Sequence, residues 1–222
     1  MYSVKILDIA DVTHNVRRYT LERPAGYAFK PGQATEVSLD EEGWRDRKHP
    51  FTFTALADDP HLEFTIKSYF NTGGDGVTER LYGYKPGQSL LLRDVWGTIT
   101  YKGPGTFIAG GAGVTPFIAI LRDLHHVRKM EGHTLIASNR TEADIILRDE
   151  FEGFRGLDTI WTVTDDPRSS LLHERIDARF LEKHVSNFGQ NFYLCGPDEM
   201  VKELRGTLKD LGASVENVTW EK

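Results

Sequence analysis

The chain has 222 residues, enough for one large domain or two of about 100 residues each. Its 33 acidic and 27 basic residues give a formal charge of −6, and without basic clusters this argues against nucleic acid as the main partner. The single cysteine, Cys195, excludes an internal disulfide, an iron–sulfur cluster and a multi-thiolate zinc site.

The first hundred residues read as short strands broken by turns. SVKILDI (3–9), RRYTLER (17–23), ATEVSLD (34–40), FTFTAL (51–56), LEFTIKSY (62–69) and SLLLRDV (89–95) are β-rich and often alternate apolar with polar. Glycine-, proline- and aspartate-rich stretches separate them. This pattern predicts a small antiparallel barrel or sandwich. FKPGQ (29–33) and YKPGQ (84–88) each precede a strand, and the segments between them do not match, so they share turn chemistry without forming a repeat.

Two segments of this half carry polar groups at one place. KHPFTFTAL (48–56) offers an aromatic face, hydroxyls and an imidazole, which reads either as a barrel-core strand or as a holder for a planar heterocycle. IKSYFNTGGDGVTERL (66–81) sets glycines 73, 74 and 76 before Thr78 and a helical turn, which reads either as a plain loop or as a helix N-terminus suited to an anion.

TYKGPG (100–105) marks a boundary, after which apolar strands alternate with helical segments. TFIAG precedes TPFIAILRDLHHVRK, HTLIAS precedes ADIILRDEFEGF, TIWTVT precedes IDARFLEKHV, NFYLCG precedes PDEMVKELRGTLKDLG, and SVENVTW closes the series. That rhythm predicts a parallel sheet wound by helices on both faces. The expected architecture is two domains, a β-barrel over residues 1–102 and a doubly wound α/β domain over 103–222. LHHVRK (124–129) falls on a helix, where adjacent histidines point apart, and the eight histidines show no metal-ligand spacing, so no metal is expected.

In GGAGVTP (110–116) a strand ends in glycines that let backbone approach a phosphate, with Thr115 suited to an N-cap and Pro116 to the first helical position. The alternative is an ordinary strand–turn–helix corner. Cys195, Gly196 and Pro197 also stand at a strand's carboxyl end, where ligands of open α/β sheets bind; simple packing of a buried cysteine is the other reading.

These four segments, in this order, resemble the ferredoxin–NADP(H) reductase family over nearly the whole chain. The resemblance implies a flavin-binding barrel followed by a nicotinamide-binding α/β domain. His49-Pro50-Phe51-Thr52 is similar to the family's Arg-x-Tyr-Ser/Thr flavin motif, with His49 in place of the arginine and Arg47 or Lys48 as substitute cations. Phe51 would lie against the isoalloxazine and Thr52 near its N5. Ile66 and Lys67 fall where strand backbone passes the ribityl chain and pyrophosphate; Gly76, Val77 and Thr78 are similar to the Gly-x-x-Ser/Thr phosphate motif, which favours FAD over FMN. Gly111, Gly113, Thr115 and Pro116 resemble the Gly-x-Gly-x-x-Pro nicotinamide segment, and Cys195-Gly196-Pro197 its Cys-Gly-Pro, with Cys195 beside the reacting carbon.

The implied function is an NAD(P)H-dependent flavoprotein reductase. Hydride passes from nicotinamide to flavin, and electrons then leave to a separate ferredoxin, flavodoxin, oxygenase component or small acceptor. Asp165 in Thr164-Asp165-Asp166 suits a ribose hydroxyl and favours NADH, whereas Arg140 suits the 2′-phosphate of NADPH. Arg45, Arg47 and Lys48 are the expected docking patch for an acidic carrier, and Trp220 is placed near the flavin as terminal aromatics are in some relatives. A non-catalytic redox-sensing flavin module and an electron-transfer subunit of a larger complex are the alternatives. With no secretion pattern in MYSVKILDIADVTHN and no run of ~18 apolar residues, no membrane span and a cytoplasmic location are expected.

Overall fold

The computed structural model describes residues 1–70, 73–97 and 99–220; Asn71 and Thr72 of the NTGGDG turn, Thr98, and the Glu221-Lys222 tail lie outside the described residues. The chain divides into two compact units, Met1–Thr98 with Thr115–Asp123, and Ile99–Val114 with Leu124–Lys222. Among the described residues no helix is long and apolar enough to cross a membrane.

The first unit is built on β1 (Tyr2–Thr13), β2 (Val16–Leu21), β3 (Gln33–Leu39), β4 (His49–Thr52), β5 (Leu62–Lys67) and β6 (Ser89–Gly97), with the short helix α1 (Val77–Tyr82). They form one sheet in the order β4-β3-β6-β1-β2-β5, antiparallel throughout. Alternation along the strands puts Val4 and Ile6, Tyr19 and Leu21, Leu62, Phe64 and Ile66, and Leu90 and Leu92 into a common core. Phe53 fills its centre, stacked on Phe29 at 4.3 Å and tilted against Phe64 at 5.1 Å. Each such side chain contributes roughly 1.5–3 kcal/mol of apolar burial.

The strand expected over 51–56 stops at Thr52. The Phe53 N–H donates to the Gln33 carbonyl (3.1 Å), whereas the Thr54 N–H donates to the Glu63 carbonyl on β5 (2.9 Å). The chain therefore crosses from one edge of the sheet to the other, and this crossing curls the sheet into a half-barrel. The two KPGQ turns are superimposable in their bonding. In each, the Gln side-chain oxygen accepts from the Lys N–H (2.7 Å for Gln33, 2.8 Å for Gln88), and Gly32 and Gly87 sit at φ of +84° and +94°.

The second unit has β7 (Gly105–Gly110), β8 (His133–Asn139), β9 (Leu157–Val163), β10 (Asn191–Cys195) and β11 (Val218–Trp220), with α3 (Arg148–Glu152), α4 (Ala178–His184) and α5 (Asp198–Asp210); α2 (Thr115–His126) connects β7 to β8, and its residues Thr115–Asp123 group with the first unit. The sheet is parallel in the order β11-β10-β7-β8-β9. The chain starts in the middle, winds outward through β8 and β9, then returns to β10 and β11, as the doubly wound expectation requires. Phe180 and Leu181 of α4 and Val201, Leu204 and Leu208 of α5 pack on Ile108, Ile136, Phe192 and Leu194.

The alternate face carries an aromatic stack in which Phe107 lies 4.5 Å from Tyr193. The Tyr193 hydroxyl accepts from the N–H groups of Lys102 and Gly103 (2.9 and 3.1 Å) and donates to the Gly103 carbonyl (2.7 Å), so the TYKGPG boundary is bonded to the sheet. The helix expected over 143–154 is broken. Asp144 closes a capping box with Thr141, Ile145 and Ile146 turn into the core, and Leu147 takes φ of +54° before α3 begins. Burial of two β-branched residues outweighs the continuous helical pattern.

Candidate functional site

In the second unit β7 and β10 are neighbours whose following connections leave in opposite directions, the switch point at which open α/β sheets bind ligands. Their C-terminal ends meet through bare backbone. A Cβ built on Gly113 would stand 2.2 Å from the Cys195 carbonyl oxygen and 2.6 Å from the Gly196 nitrogen. One on Gly110 would stand 2.6 Å from the Met200 sulfur and 2.8 Å from the Pro197 ring, and one on Gly196 3.0 Å from the Gly110 nitrogen. GGAGVTP and CGP are thus two halves of one packed corner, and their glycines are required by each other. Gly111, at φ of +53°, turns the chain there with open space beside it.

A 3-10 turn over Gly111–Val114 runs directly into α2, with Thr115 as its first residue and Pro116 as its second. Helical winding therefore starts before Thr115, which is inside the helix and not its expected cap, because the close approach at Gly113 already tightens the chain. Cys195, which forms no disulfide, is buried at the end of β10.

Arg140 and Asp165 stand on the loops after β8 and β9. The sequence opposes them as alternatives, but they bond to one another: the Arg140 guanidinium donates to the Asp165 carboxylate at 2.8 Å. Backbone bonds from Thr164 N–H to the Asn139 carbonyl (3.0 Å) and Asp165 N–H to the Arg140 carbonyl (2.7 Å) hold the loops together. Asp166 accepts from the Glu142 N–H at 3.1 Å and so holds the 3-10 turn after β8.

In the first unit β4 alternates so that His49 and Phe51 share a face, their rings stacked at 4.9 Å and 15°. His49 and Pro50 are exposed, Phe51 is half-buried against the barrel core, and Thr52 is buried. Ile66 is a core side chain, so only its backbone is available to a ligand; Lys67 is half-buried at the end of β5. Gly76 caps α1 in extended conformation, Val77 packs on the core, and the carbonyl of buried Thr78 accepts from the Ser68 hydroxyl (2.9 Å).

The β3–β4 loop is tied to α1 by charge. Arg47 donates to the Asp75 carboxylate immediately before Gly76, whereas Lys48 pairs with Glu36 on β3 at 3.2 Å. Of the two substitute cations, Arg47 is therefore the one at α1. Arg80 of α1 donates to Glu41 (2.8 Å), and the Arg47 and Arg80 guanidiniums lie 4.5 and 4.9 Å from the Trp44 ring. The Tyr84 hydroxyl and the Arg80 guanidinium hold the Glu41 carboxyl below the usual carboxylate range, so it stays ionised as the anchor. Arg45 pairs with Asp40 at 2.8 Å, so each member of the expected Arg45, Arg47, Lys48 patch faces a carboxylate and the loop is not a bare cationic surface.

Sequence reasoning passed over Tyr69 and Phe70, which follow β5 and are 49% and 54% exposed, with Phe70 edge-on to Tyr82 at 5.0 Å. Two aromatics where the strand's alternation ends were the available signal. It also passed over Arg122 of α2, which donates to the Thr54 carbonyl (2.7 Å) and to Glu63 on β5 (2.6 Å). The charge of Arg122 gave no hint of that partner, 59 positions away. Trp220 turns its ring to α5, beneath the Arg205 guanidinium at 3.5 Å. Among the described residues no group of three or more His, Cys, Asp or Glu is placed to hold a metal.

The family described as an oxidoreductase NAD-binding domain matches residues 107–206. NADH-cytochrome b5 reductase 1 of Bos taurus is 25% identical over 242 residues, covering 90% of this chain and 78% of that protein. The reductase component of propane 2-monooxygenase from Rhodococcus jostii (strain RHA1) is 30% identical over 208 residues, covering 84% and 55%. In fold, the chain is similar to a ferredoxin NADP+ reductase from Neisseria gonorrhoeae solved with bound FAD and NADP, with a TM-score of 0.86, 21% identity and coverage of 99% and 97%.

Proposed function

We propose that the chain, as a member of the ferredoxin–NADP(H) reductase-like family, is an NAD(P)H-dependent flavoprotein oxidoreductase serving a separate electron acceptor. The observation that carries the reading is the bare-backbone corner at the β7–β10 switch point, where Gly113 has no room for a side chain because the Cys195 carbonyl occupies it. Residues 103–222 are read as the nicotinamide-binding domain and residues 1–102 as the FAD-binding domain.

The residues present fit both groups. Gly111, Gly113, Thr115 and Pro116 open a helix at a strand's carboxyl end, as a dinucleotide requires, and Cys195, Gly196 and Pro197 wall the same corner. Phe51, stacked beneath His49, offers a planar face to a flavin, with buried Thr52 beside it; Gly76, Val77 and Thr78, with Arg47 close by, suit a phosphate, and the backbone of Ile66 and Lys67 runs along the neighbouring edge strand. FAD, when bound, takes up a hydride equivalent and passes on single electrons. This chain's residues bind, orient and exclude water, and no acid–base pair is needed.

NADH is the preferred nucleotide in this reading. Asp165 faces any 2′-phosphate with a negative charge and engages the cation, Arg140, that would receive one. The acceptor is a carrier protein such as a ferredoxin, a flavodoxin or an oxygenase component, or a small molecule. The family relatives that are reductase components of oxygenase systems support a carrier. A cytoplasmic setting belongs to the same reading. The test is to release and identify the flavin of the purified protein, then to follow NADH oxidation with ferricyanide as a one-electron acceptor. FAD and turnover are expected; a protein that retains no flavin after FAD loading overturns the proposal.

A further inference from the structure

Away from the β7–β10 corner, α5 and β11 enclose a cleft of about 390 Å³ within the second unit. Its wall on α5 is Lys202, Arg205, Gly206 and Lys209; its floor is Ala213, Val215, Val218 and Trp220. The volume lies in the range of small-molecule sites, roughly 300–1,000 Å³.

Three features define what the cleft can hold. First, Lys202, Arg205 and Lys209 follow one helix face over ~10 Å, and among the described residues no carboxylate lines the cleft with them. Among the described residues none of the three has an ion-pair partner, in contrast to Arg45, Arg47 and Lys48 on the β3–β4 loop. Second, the Arg205 guanidinium carbon lies over the Trp220 ring, 3.5 Å from its centroid, which restrains the fork, and among the described residues its N–H groups have no hydrogen-bond partner, leaving them to an oxyanion. Third, the site is amphiphilic and open. Val215 is 64% exposed, and a Cβ at Gly206 would meet nothing within 4 Å, although a glycine in a helix interior weakens the helix.

We propose that the α5–β11 cleft is a second ligand site, one that binds an organic anion whose carboxylate is held by Arg205 and Lys209 and whose apolar body lies on Val215, Val218 and Trp220. A cationic strip alone would serve any anion, and a greasy crevice alone any hydrocarbon. The joined arrangement selects a molecule with both ends. The site does not depend on the oxidoreductase reading, because every lining residue is outside the glycine corner.

The experiment is a titration of the flavin-loaded, isotopically labelled protein with sodium decanoate, decanol and sodium sulfate separately, followed by amide and indole resonances. Decanoate is expected to shift residues 202–209 and the Trp220 indole saturably. Arg205→Gln weakens this binding by roughly tenfold, the cost of one charge-assisted hydrogen bond. Gly206→Leu, which fills open space and favours the helix, abolishes it while the remaining spectrum is retained. Absence of decanoate shifts at these residues overturns the proposal. So does an equal response to sulfate, which would mark a non-selective cationic strip, or an equal affinity for decanol, which would mark an apolar crevice. Shifts produced there only by an acidic carrier protein would instead assign the surface to docking, and would also overturn it.

Discussion

Gly113 illustrates how one side chain, or its absence, sets the candidate site. Its Cα faces the Cys195 carbonyl, so an added methyl would overlap that oxygen at 2.2 Å. Gly113→Ala must push the end of β10 from the Gly111–Val114 turn, a strain of about 1–3 kcal/mol for overpacking a tight corner. We expect its flavin absorbance to remain while the rate of reduction by NADH falls roughly a hundredfold, since ångström-scale misplacement costs that much; stopped-flow absorbance of the variant checks this. Asp165 is the second decisive residue. Asp165→Ser removes the carboxylate that engages Arg140, and the ratio of kcat/KM for NADPH over NADH should rise by roughly tenfold or more through one gained charge-assisted contact. Steady-state kinetics with both nucleotides, and no change when Arg140→Gln accompanies it, would tie the effect to the ion pair.

The elements show why some features were legible in the chain and others were not. GGAGVTP and CGP were readable because glycine and proline state a backbone requirement locally, and each required the other across the β7–β10 pairing. The KPGQ turns were readable for the same reason. The Arg140–Asp165 bond was not, because a side chain's partner 25 positions away leaves no trace in composition. The helix expected over 143–154 failed where tertiary burial of Ile145 and Ile146 outweighed periodicity. Arg122 belongs with these long-range features. It fixes α2 to β5 through Glu63, both side chains under one-fifth exposed. Arg122→Met should leave Glu63 poorly paired and cost about 2 kcal/mol. A fall in the urea midpoint, largely relieved when Glu63→Gln is added, is the expected result; additive losses would deny the coupling.

At the scale of the whole molecule, two compact units of separate cores give separate handles on stability. His133 is the pH-sensitive handle of the second. It is buried, its Nδ1–H donates to the Met130 carbonyl at 2.8 Å, and its Nε2 lies 2.9 Å from the Tyr101 hydroxyl, so the neutral ring is fully bonded in a site that disfavours a charge. Burial holds its pKa below the ordinary histidine value. The unfolded chain therefore takes up a proton below about pH 6.5 that the folded state refuses, and stability present above that pH is lost as the pH falls beneath it. Urea midpoints of the native chain should decline more steeply from pH 7.5 to 5.5 than those of His133→Phe; equal slopes would contradict this.

In the proposed function, a flavin held by the first unit is reduced by a nicotinamide held at the β7–β10 corner of the second. The most direct measurement is an anaerobic titration of the FAD-loaded protein with NADH, followed in the visible spectrum. Flavin absorbance is expected to bleach stoichiometrically and to return on admission of an electron acceptor. A flavin that binds and stays oxidised in excess NADH and NADPH alike would contradict it.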